Sequence, residues 1–259
     1  MRRVIHALPW IAIALVATLG FDGVLFMPFA LVLALLALNE FFRMFKRMRP
    51  IVPAGVIGTA AVIVAAKYGT QYQMVLALAV TIPVTFLFAL ARGVRRYVTV
   101  SMAVTMFGVS WIGVAFAHAV LLRDLPHGAG LIVDVLIGTF IGDTAAYFGG
   151  RWWGMRPLAP KISPNKTVEG LIAGFIGGTL AFWLAGLYQD WLSGLDALAI
   201  GACVAAAAPL GDLFESLVKR DAGVKDTGRV FGEHGGVLDR LDAAMFTVVA
   251  GYYMSVALL

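Results

Sequence analysis

Residues 216–242 read SLVKRDAGVKDTGRVFGEHGGVLDRLD, from Ser216 to Asp242, and lie between two strongly apolar segments. Basic, acidic and glycine residues crowd this run, although only 14% of the chain is charged and its mean hydropathy is +0.88. Charged side chains close to a membrane are costly unless they face water, each other or a charged ligand. The run therefore indicates a site for something charged, and phosphates with their metal ions are the first candidates.

Apolar segments long enough to cross a bilayer recur along the whole chain. Of its 259 residues 61% are hydrophobic, whereas soluble domains are roughly half apolar. A transmembrane helix needs about 20 predominantly apolar residues. We therefore predict an all-α polytopic membrane protein of about nine transmembrane helices, at 4–21, 24–42, 51–67, 73–91, 99–121, 129–148, 168–187, 196–217 and 237–257.

No soluble domain of any size fits between these segments, so we expect one integral membrane domain over 1–259. The polar residues divide it into a helical scaffold half, 1–125, and a catalytic half, 126–259. The first segment lacks a clear small-x-small cleavage site, and we interpret it as an uncleaved helix rather than a signal peptide.

The distribution of positive charge predicts the topology. Among the 20 basic residues, all but Lys67 and Arg123 fall on one side of nine alternating spans. Short cytoplasmic loops carry the excess of lysine and arginine. We therefore place the N-terminus and both long polar loops in the cytoplasm and the C-terminus on the opposite side. The net charge of +5 reflects this topology, and we expect no nucleic-acid partner.

One pair of carboxylates lies just before the polar run and a second pair lies at its end. On a helix, Asp212 and Glu215 are three residues apart and project from one face, and Asp239 and Asp242 repeat this spacing at the next span. A chain reversal between the two spans would bring the two pairs together. Because they would then concentrate negative charge close to hydrocarbon, cations are needed to balance it. Hard oxygen ligands suit Mg²⁺ better than zinc, and Asp143 in the sixth span is a further candidate ligand.

The basic residues between the pairs suit a polyphosphate. A carboxylate-bound Mg²⁺ beside Lys219, Arg220, Lys225 and Arg229 is typical of phosphoryl or nucleotidyl transfer. Nearby glycines would let backbone N–H groups close on phosphate oxygens, helped by the dipole at the start of the ninth span. The alternative is that the basic residues follow the positive-inside rule and the glycines form a hairpin, which leaves the carboxylates unexplained.

A second polar segment precedes the seventh span. Ser163, Lys166 and Thr167 come just before a predicted helix starting near Val168, with Glu169 in its first turn. Such an N-terminus can bind a phosphate, or it can be an ordinary helix cap after a proline-stiffened loop, and both can hold at once.

Glycines 170, 174 and 178 form a stripe along the seventh span. Small residues at intervals of four let another helix approach closely in a membrane. The stripe predicts either tight packing around a site or a dimer seam.

At these residues the chain resembles the phosphatidate cytidylyltransferases, also called CDP-diacylglycerol synthases. Their long signature pattern, which includes Lys-Arg, Lys-Asp, His-Gly-Gly and Asp-Arg-apolar-Asp, is met at every specified position from Ser216 to Asp242. Residues 143–147 and 161–170 also resemble a block of that family. One departure is Gly232-Glu233, where many members carry Pro-Gly, and it predicts a less rigid loop with one more acidic charge.

The resemblance implies transfer of CMP from CTP to phosphatidic acid, giving CDP-diacylglycerol and pyrophosphate, with Mg²⁺ required. A second metal or a monovalent ion is left open. The resemblance further implies a homodimer that is embedded in a bacterial-type inner membrane and contacts membrane lipids. Its active site is expected to face the cytoplasm.

The expected roles can be assigned residue by residue. Mg²⁺ would be held by Asp212 and Asp239, with Asp242, Glu215 or Asp143 as additional ligands. The catalytic set is completed by Lys219 and Arg220. The expected substrate-binding residues are Ser163, Lys166, Ser216, Lys225, Asp226, Arg229, His234 and Arg240.

Three rival functions stay open at this point. The same chemistry could act on another lipid phosphate, such as an isoprenoid-ether lipid. A transporter could use the carboxylates as an ion path, although this chain lacks the internal repeat typical of transporters. A non-catalytic membrane scaffold would leave the charges of the loop without a purpose.

Overall fold

The computed structural model describes residues 16, 18–20, 24–93, 96–228 and 235–259. Within these residues the chain forms eight long helices, connected mostly by short loops. They are α1 Phe26–Met44, α2 Val52–Tyr68, α3 Gln71–Ala91, α4 Val98–Asp124, α5 Gly128–Trp153, α6 Val168–Gly186, α7 Gly194–Asp221 and α8 Leu238–Leu258.

The eight helices correspond one to one with the second to ninth predicted spans. Seven of them are long and apolar enough to cross a membrane, and the remaining helix, Val52–Tyr68, is shorter. The first predicted span, 4–21, lies almost wholly outside the described residues. The prediction of an all-α polytopic membrane protein is confirmed, while the count of nine spans and the orientation stay predictions.

Two local structures differ from the simple helical prediction. A small antiparallel hairpin, β1 Pro157–Ala159 and β2 Ser163–Thr167, occupies the loop before α6, with Ala159 opposite Ser163. Helix α4 contains a π-helical turn at Val109–Gly113. Such turns are rare and often lie near functional sites.

The glycine stripe of α6 packs against α5 of the same chain. A Cβ at Gly174 would lie 2.8 Å from the Cβ of Ala146 and 3.1 Å from the carbonyl oxygen of Gly142. At Gly178 a Cβ would lie 2.9 Å from the carbonyl oxygen of Gly138. Of the two predicted uses of the stripe, the structure therefore shows the tight packing, because α5 fills the groove.

Contacts between distant segments show which loops share an end of the bundle. The Ser101 hydroxyl donates to the carbonyl of Met48 at 2.9 Å, so the loop after α1 meets the start of α4. The Arg220 Nε donates to the carbonyl of Ile162 at 3.3 Å, which joins the end of α7 to the hairpin. At the opposite end Lys67 pairs with Asp124 at 2.7 Å. The start of α4 thus lies at one end of the bundle and its last residue at the other.

An aromatic layer lies directly below the polar end that holds the charged run. The Trp111 and Phe214 rings meet edge to face at 4.8 Å, and Phe246 lies 5.3 Å from Phe214. Phe107 and Phe41 extend this layer towards α1. Phe214 is adjacent to Glu215 on α7, and Phe246 lies one turn after Asp242 on α8. The aromatic layer therefore packs the two helices together next to the predicted carboxylates.

Candidate active site

The polar end of α7 and the first turns of α8 form the centre of the candidate site. Helix α7 contributes Asp212, Glu215 and Lys219 at successive turns, and α8 contributes Asp239 and Asp242. The two helices pack against each other along much of their length. The predicted chain reversal thus brings the two carboxylate pairs together, as the helical spacing indicated.

Lys219 joins the two helices. Its Nζ lies 3.0 Å from Asp239 Oδ1 and 3.3 Å from Glu215 Oε1. The Glu215 side chain is completely buried, and neither of its oxygens has a hydrogen bond of good geometry. A buried carboxylate of this kind depends on nearby positive charge, which Lys219 supplies.

Lys166 joins the hairpin to the same site. It lies near the end of β2, and its Nζ is 2.5 Å from Asp212 Oδ2. The Ser216 hydroxyl lies 3.4 Å from Asp212 Oδ1 on the same helix. Lys166 and Asp212, which the sequence analysis assigned to substrate and metal, are therefore direct neighbours.

Asp143 completes an excess of negative charge. Although it is exposed on α5, it interacts electrostatically with Asp212, Asp242 and Lys166. Glu215 interacts in the same way with Asp242 and Asp239. Five carboxyl groups thus share this region with the two lysines described above. Such a region attracts cations.

The donor chemistry of the cluster fits Mg²⁺ in part. Its candidate ligands are carboxylate oxygens, including those of the buried Glu215, which interacts with Lys219 and Asp242. Among the described residues, however, no three histidine, cysteine or carboxylate side chains are placed to hold a metal ion together. Mg²⁺ commonly takes only one or two carboxylates and completes its coordination with water and substrate phosphates. The residues therefore suit a metal that arrives with a phosphate.

Asp239 organises the loop as well as facing the site. Its Oδ2 accepts hydrogen bonds from the backbone N–H of Thr227 at 2.9 Å, the Thr227 hydroxyl at 2.9 Å and the N–H of Gly236 at 2.8 Å. The expectation that glycine N–H groups would close on phosphate oxygens is not met at Gly236, because its N–H already binds this carboxylate. Gly235 has a φ of +84°, which favours glycine.

The remaining predicted residues lie around this centre. Ser163 is partly buried at the start of β2, and Arg220 is exposed, donating to the carbonyls of Ile162 and Val224. Lys225, Asp226 and Arg240 are also exposed. Arg229 and His234 lie outside the described residues.

The start of α6 is a capped helix. The Thr167 hydroxyl accepts the N–H of Gly170 at 3.1 Å, which confirms the predicted cap. Glu169 pairs with Arg156 at 2.9 Å and accepts the backbone N–H groups of Met155 and Arg156. These contacts fix the hairpin that carries Lys166.

Glu40 is the residue that the sequence analysis missed. It lies near the end of α1 in the scaffold half, is 2% exposed, and contacts the loop before α8. A signal was present, because Glu40 is the one charged residue within the second predicted span, 24–42. The rule that carboxylates inside a membrane span have a function applies to it as much as to Asp212.

A model of the cytidylyltransferase family matches residues 1–258. The phosphatidate cytidylyltransferase of Staphylococcus saprophyticus is 30% identical over 233 residues, which cover 87% of this chain and 88% of the relative.

Two further relatives match over shorter regions. The phosphatidate cytidylyltransferase of Aquifex aeolicus is 42% identical over 125 residues, 47% of this chain and 46% of the relative. The uncharacterized protein YnbB of Escherichia coli is 39% identical over 150 residues, 55% of this chain and 50% of the relative. In these two cases the match spans about half of the relative's length. Because the family model covers nearly the whole sequence, the chain belongs to the cytidylyltransferase family.

Proposed function

We propose that this membrane protein transfers CMP from CTP to phosphatidic acid, giving CDP-diacylglycerol and pyrophosphate. The observation that carries the proposal is the convergence of Lys166, Asp212, Lys219 and Asp239 from the hairpin, α7 and α8. The names of the staphylococcal and Aquifex relatives support the same substrates.

The reaction needs one bond formed and one bond broken. A phosphate oxygen of the lipid attacks the α-phosphorus of CTP, and the bond from that phosphorus to the bridging oxygen of the β-phosphate breaks. Pyrophosphate leaves with the electron pair. The lipid phosphate is already an anion, so the chief demand on the protein is to position two anions and to stabilise the charge of the transition state.

Lys166 and Lys219 are the groups best placed to meet this demand. Each pairs with a carboxylate. Lys166 Nζ lies 2.5 Å from Asp212 Oδ2, and Lys219 Nζ lies 3.0 Å from Asp239 Oδ1. An incoming phosphate can share these ammonium groups, as Lys commonly binds phosphate as a point charge. Arg220, exposed at the end of α7, would supply a further positive charge to the triphosphate.

The carboxylates are proposed to hold the metal that accompanies CTP. Asp212 and Asp239 would bind Mg²⁺, with Asp143, Glu215 or Asp242 as further ligands. When bound, Mg²⁺ would neutralise the phosphates and stabilise the charge that develops on the leaving group. The grouping of five carboxyl groups around Lys166 and Lys219 supports this part of the proposal.

The location of the site follows from charge. We propose that the polar end of α7 and α8 faces the cytoplasm of a bacterial-type inner membrane, where CTP is available, because the nine-span topology predicted from sequence assigns nearly all basic residues to that side. A homodimer, implied by the resemblance stated above, belongs to the same proposal.

An assay with purified protein tests the proposed activity. Labelled CTP is incubated with phosphatidic acid and Mg²⁺, and CDP-lipid and pyrophosphate are measured. We expect both products, and their loss when EDTA removes the metal. Parallel reactions with an isoprenoid-ether lipid phosphate distinguish the rival substrate. Absence of product with every lipid phosphate would contradict the proposal and favour transport.

A further inference from the structure

Glu40 binds the loop before α8 with both carboxylate oxygens. Its Oε1 accepts the N–H of Val237 at 3.1 Å, and its Oε2 accepts the N–H of Leu238 at 2.9 Å. The Thr227 hydroxyl lies 3.3 Å from Oε2. A carboxylate that is 2% exposed needs such partners. Helix α1 thereby holds the start of α8 and the loop residue Thr227 together.

Two glycines give Glu40 its space. A Cβ at Gly228 would lie 2.5 Å from Glu40 Oε1, and one at Gly236 would overlap the same carboxylate group. The loop backbone therefore closes directly onto Glu40, and a larger residue at either position would displace it. The carboxylate of Glu40 therefore lies at the N-terminus of α8. A negative charge at this end of a helix also interacts favourably with the helix dipole.

The contacts of Glu40 lead in one step to the candidate site. The Thr227 hydroxyl lies between Glu40 and Asp239, 2.9 Å from Asp239 Oδ2. Leu238, held by Glu40, is the residue before Asp239. Asp239 in turn pairs with Lys219 at 3.0 Å. The placement of Lys219 thus depends on a helix that carries none of the proposed substrate or metal ligands.

We infer that Glu40 is a positioning residue for the reaction: its carboxylate fixes the first turn of α8 so that Asp239 holds Lys219 in place. The expected effect of Glu40 on kcat rests on the proposed function. Its expected effect on the loop before α8 rests on the contacts alone. Loss of groups that orient ligating or catalytic side chains typically costs about 10- to 100-fold in activity.

Glu40→Gln is the direct test. Glutamine keeps the size of the side chain but replaces one acceptor oxygen by an NH₂ group. That NH₂ group then faces the backbone N–H of Val237 or Leu238, and because both are donors, one hydrogen bond is lost. Leu38→Ala is the matched control, because Leu38 is 1% exposed on the same helix and is an apolar core residue. Both variants are compared with the wild type for kcat, for KM of CTP and for thermal stability.

We expect Glu40→Gln to lower kcat about 10- to 100-fold while KM for CTP changes less than about threefold. Leu38→Ala, which destabilises the fold by creating a cavity, should keep a kcat close to that of the wild type. A kcat within about twofold of the wild type for Glu40→Gln, or an equal fall in both variants, would overturn the inference.

Hydrogen–deuterium exchange supplies a readout that does not need activity. The amide of Val237 or of Leu238 should exchange at least about tenfold faster in Glu40→Gln than in the wild type and Leu38→Ala, because glutamine keeps only one of the two acceptor oxygens. Unchanged exchange would overturn the inference. If the wild type made no CDP-lipid, the proposed function would fail, and this experiment would still decide whether Glu40 holds the loop.

Discussion

Lys219 carries a positive charge into contact with carboxylates of two different helices, Glu215 of α7 and Asp239 of α8. Its side chain is 15% exposed and that of Glu215 is 0% exposed. At the scale of single residues, the ion pairs of Lys219 are therefore ones that water screens little. Lys67 and Asp124, at the opposite end, form a pair whose side chains are 25% and 31% exposed.

This contrast predicts two different losses of stability. Lys219→Met leaves the largely buried Asp239 and its neighbour Glu215 without their shared cation, which should lower the free energy of unfolding by about 3 kcal/mol. Lys67→Met removes only a surface pair and should cost less than about 1 kcal/mol. Denaturant unfolding in detergent micelles measures both, and equal losses would contradict the burial argument.

Asp212 gives a second prediction at this scale. Asp212→Asn removes the partner of Lys166 and a proposed metal ligand, and it should reduce turnover about 100-fold or more with the fold retained. Asp196→Asn is the control, because Asp196 lies in the first turn of the same helix, at its other end. Near-normal turnover of Asp212→Asn would contradict the assignment of this carboxylate.

At the scale of elements, the glycine stripe of α6 forms a tightly packed seam with α5 of the same chain. This seam positions the start of α6 and the hairpin before it. Close approach of two helices in a membrane depends on small residues, because packing and not the hydrophobic effect holds them. Asp143 on α5 and Lys166 before α6 are brought to one site by this seam. The seam is therefore part of the functional arrangement.

Gly174→Val tests the seam. Its added side chain would meet Ala146 and the Gly142 carbonyl, and we expect a loss of stability of about 1–3 kcal/mol through overpacking. Ile176→Val, on the exposed face of the same helix, should cost less than about 1 kcal/mol. Thermal unfolding compares the two variants. A Gly174→Val protein as stable as the Ile176→Val protein would show that the helices are not tightly packed.

The helices could be predicted from sequence because apolar length is a strong and local signal. The carboxylate pairs at Asp212 and Asp239 could also be predicted, since their spacing is that of a helix. The β1–β2 hairpin could not, because its strands are only three and five residues long and contain prolines. The π-helical turn at Val109–Gly113 has no periodic signal in an evenly apolar segment.

At the scale of the whole molecule, α1 reaches across the bundle to a loop almost two hundred residues later in the chain. The contact between Glu40 and Thr227 spans 187 residues of sequence. No local pattern predicts the partner of this contact, although Glu40 stands out as the one charged residue of its predicted span. The division at residue 125 stays a prediction, but α1 contributes directly to the polar end of the second half.

The topology gives a prediction for the whole molecule. Cysteines are introduced by Lys161→Cys in the hairpin loop and by Asp190→Cys in the loop between α6 and α7, on a Cys203→Ala background. Both positions are exposed and are expected at opposite ends of the bundle. A membrane-impermeant thiol reagent added to spheroplasts should label position 190 and should reach position 161 only after permeabilisation. The reverse pattern would contradict the cytoplasmic site.

The fate of each phosphate of CTP tests the central claim most directly. Purified protein is incubated with phosphatidic acid, Mg²⁺ and CTP that carries label on either the α- or the γ-phosphate. Nucleotidyl transfer predicts that the α-label enters the lipid and the γ-label leaves in pyrophosphate, in equal amounts. Label from the γ-phosphate in the lipid, or no labelled lipid at all, would contradict the account.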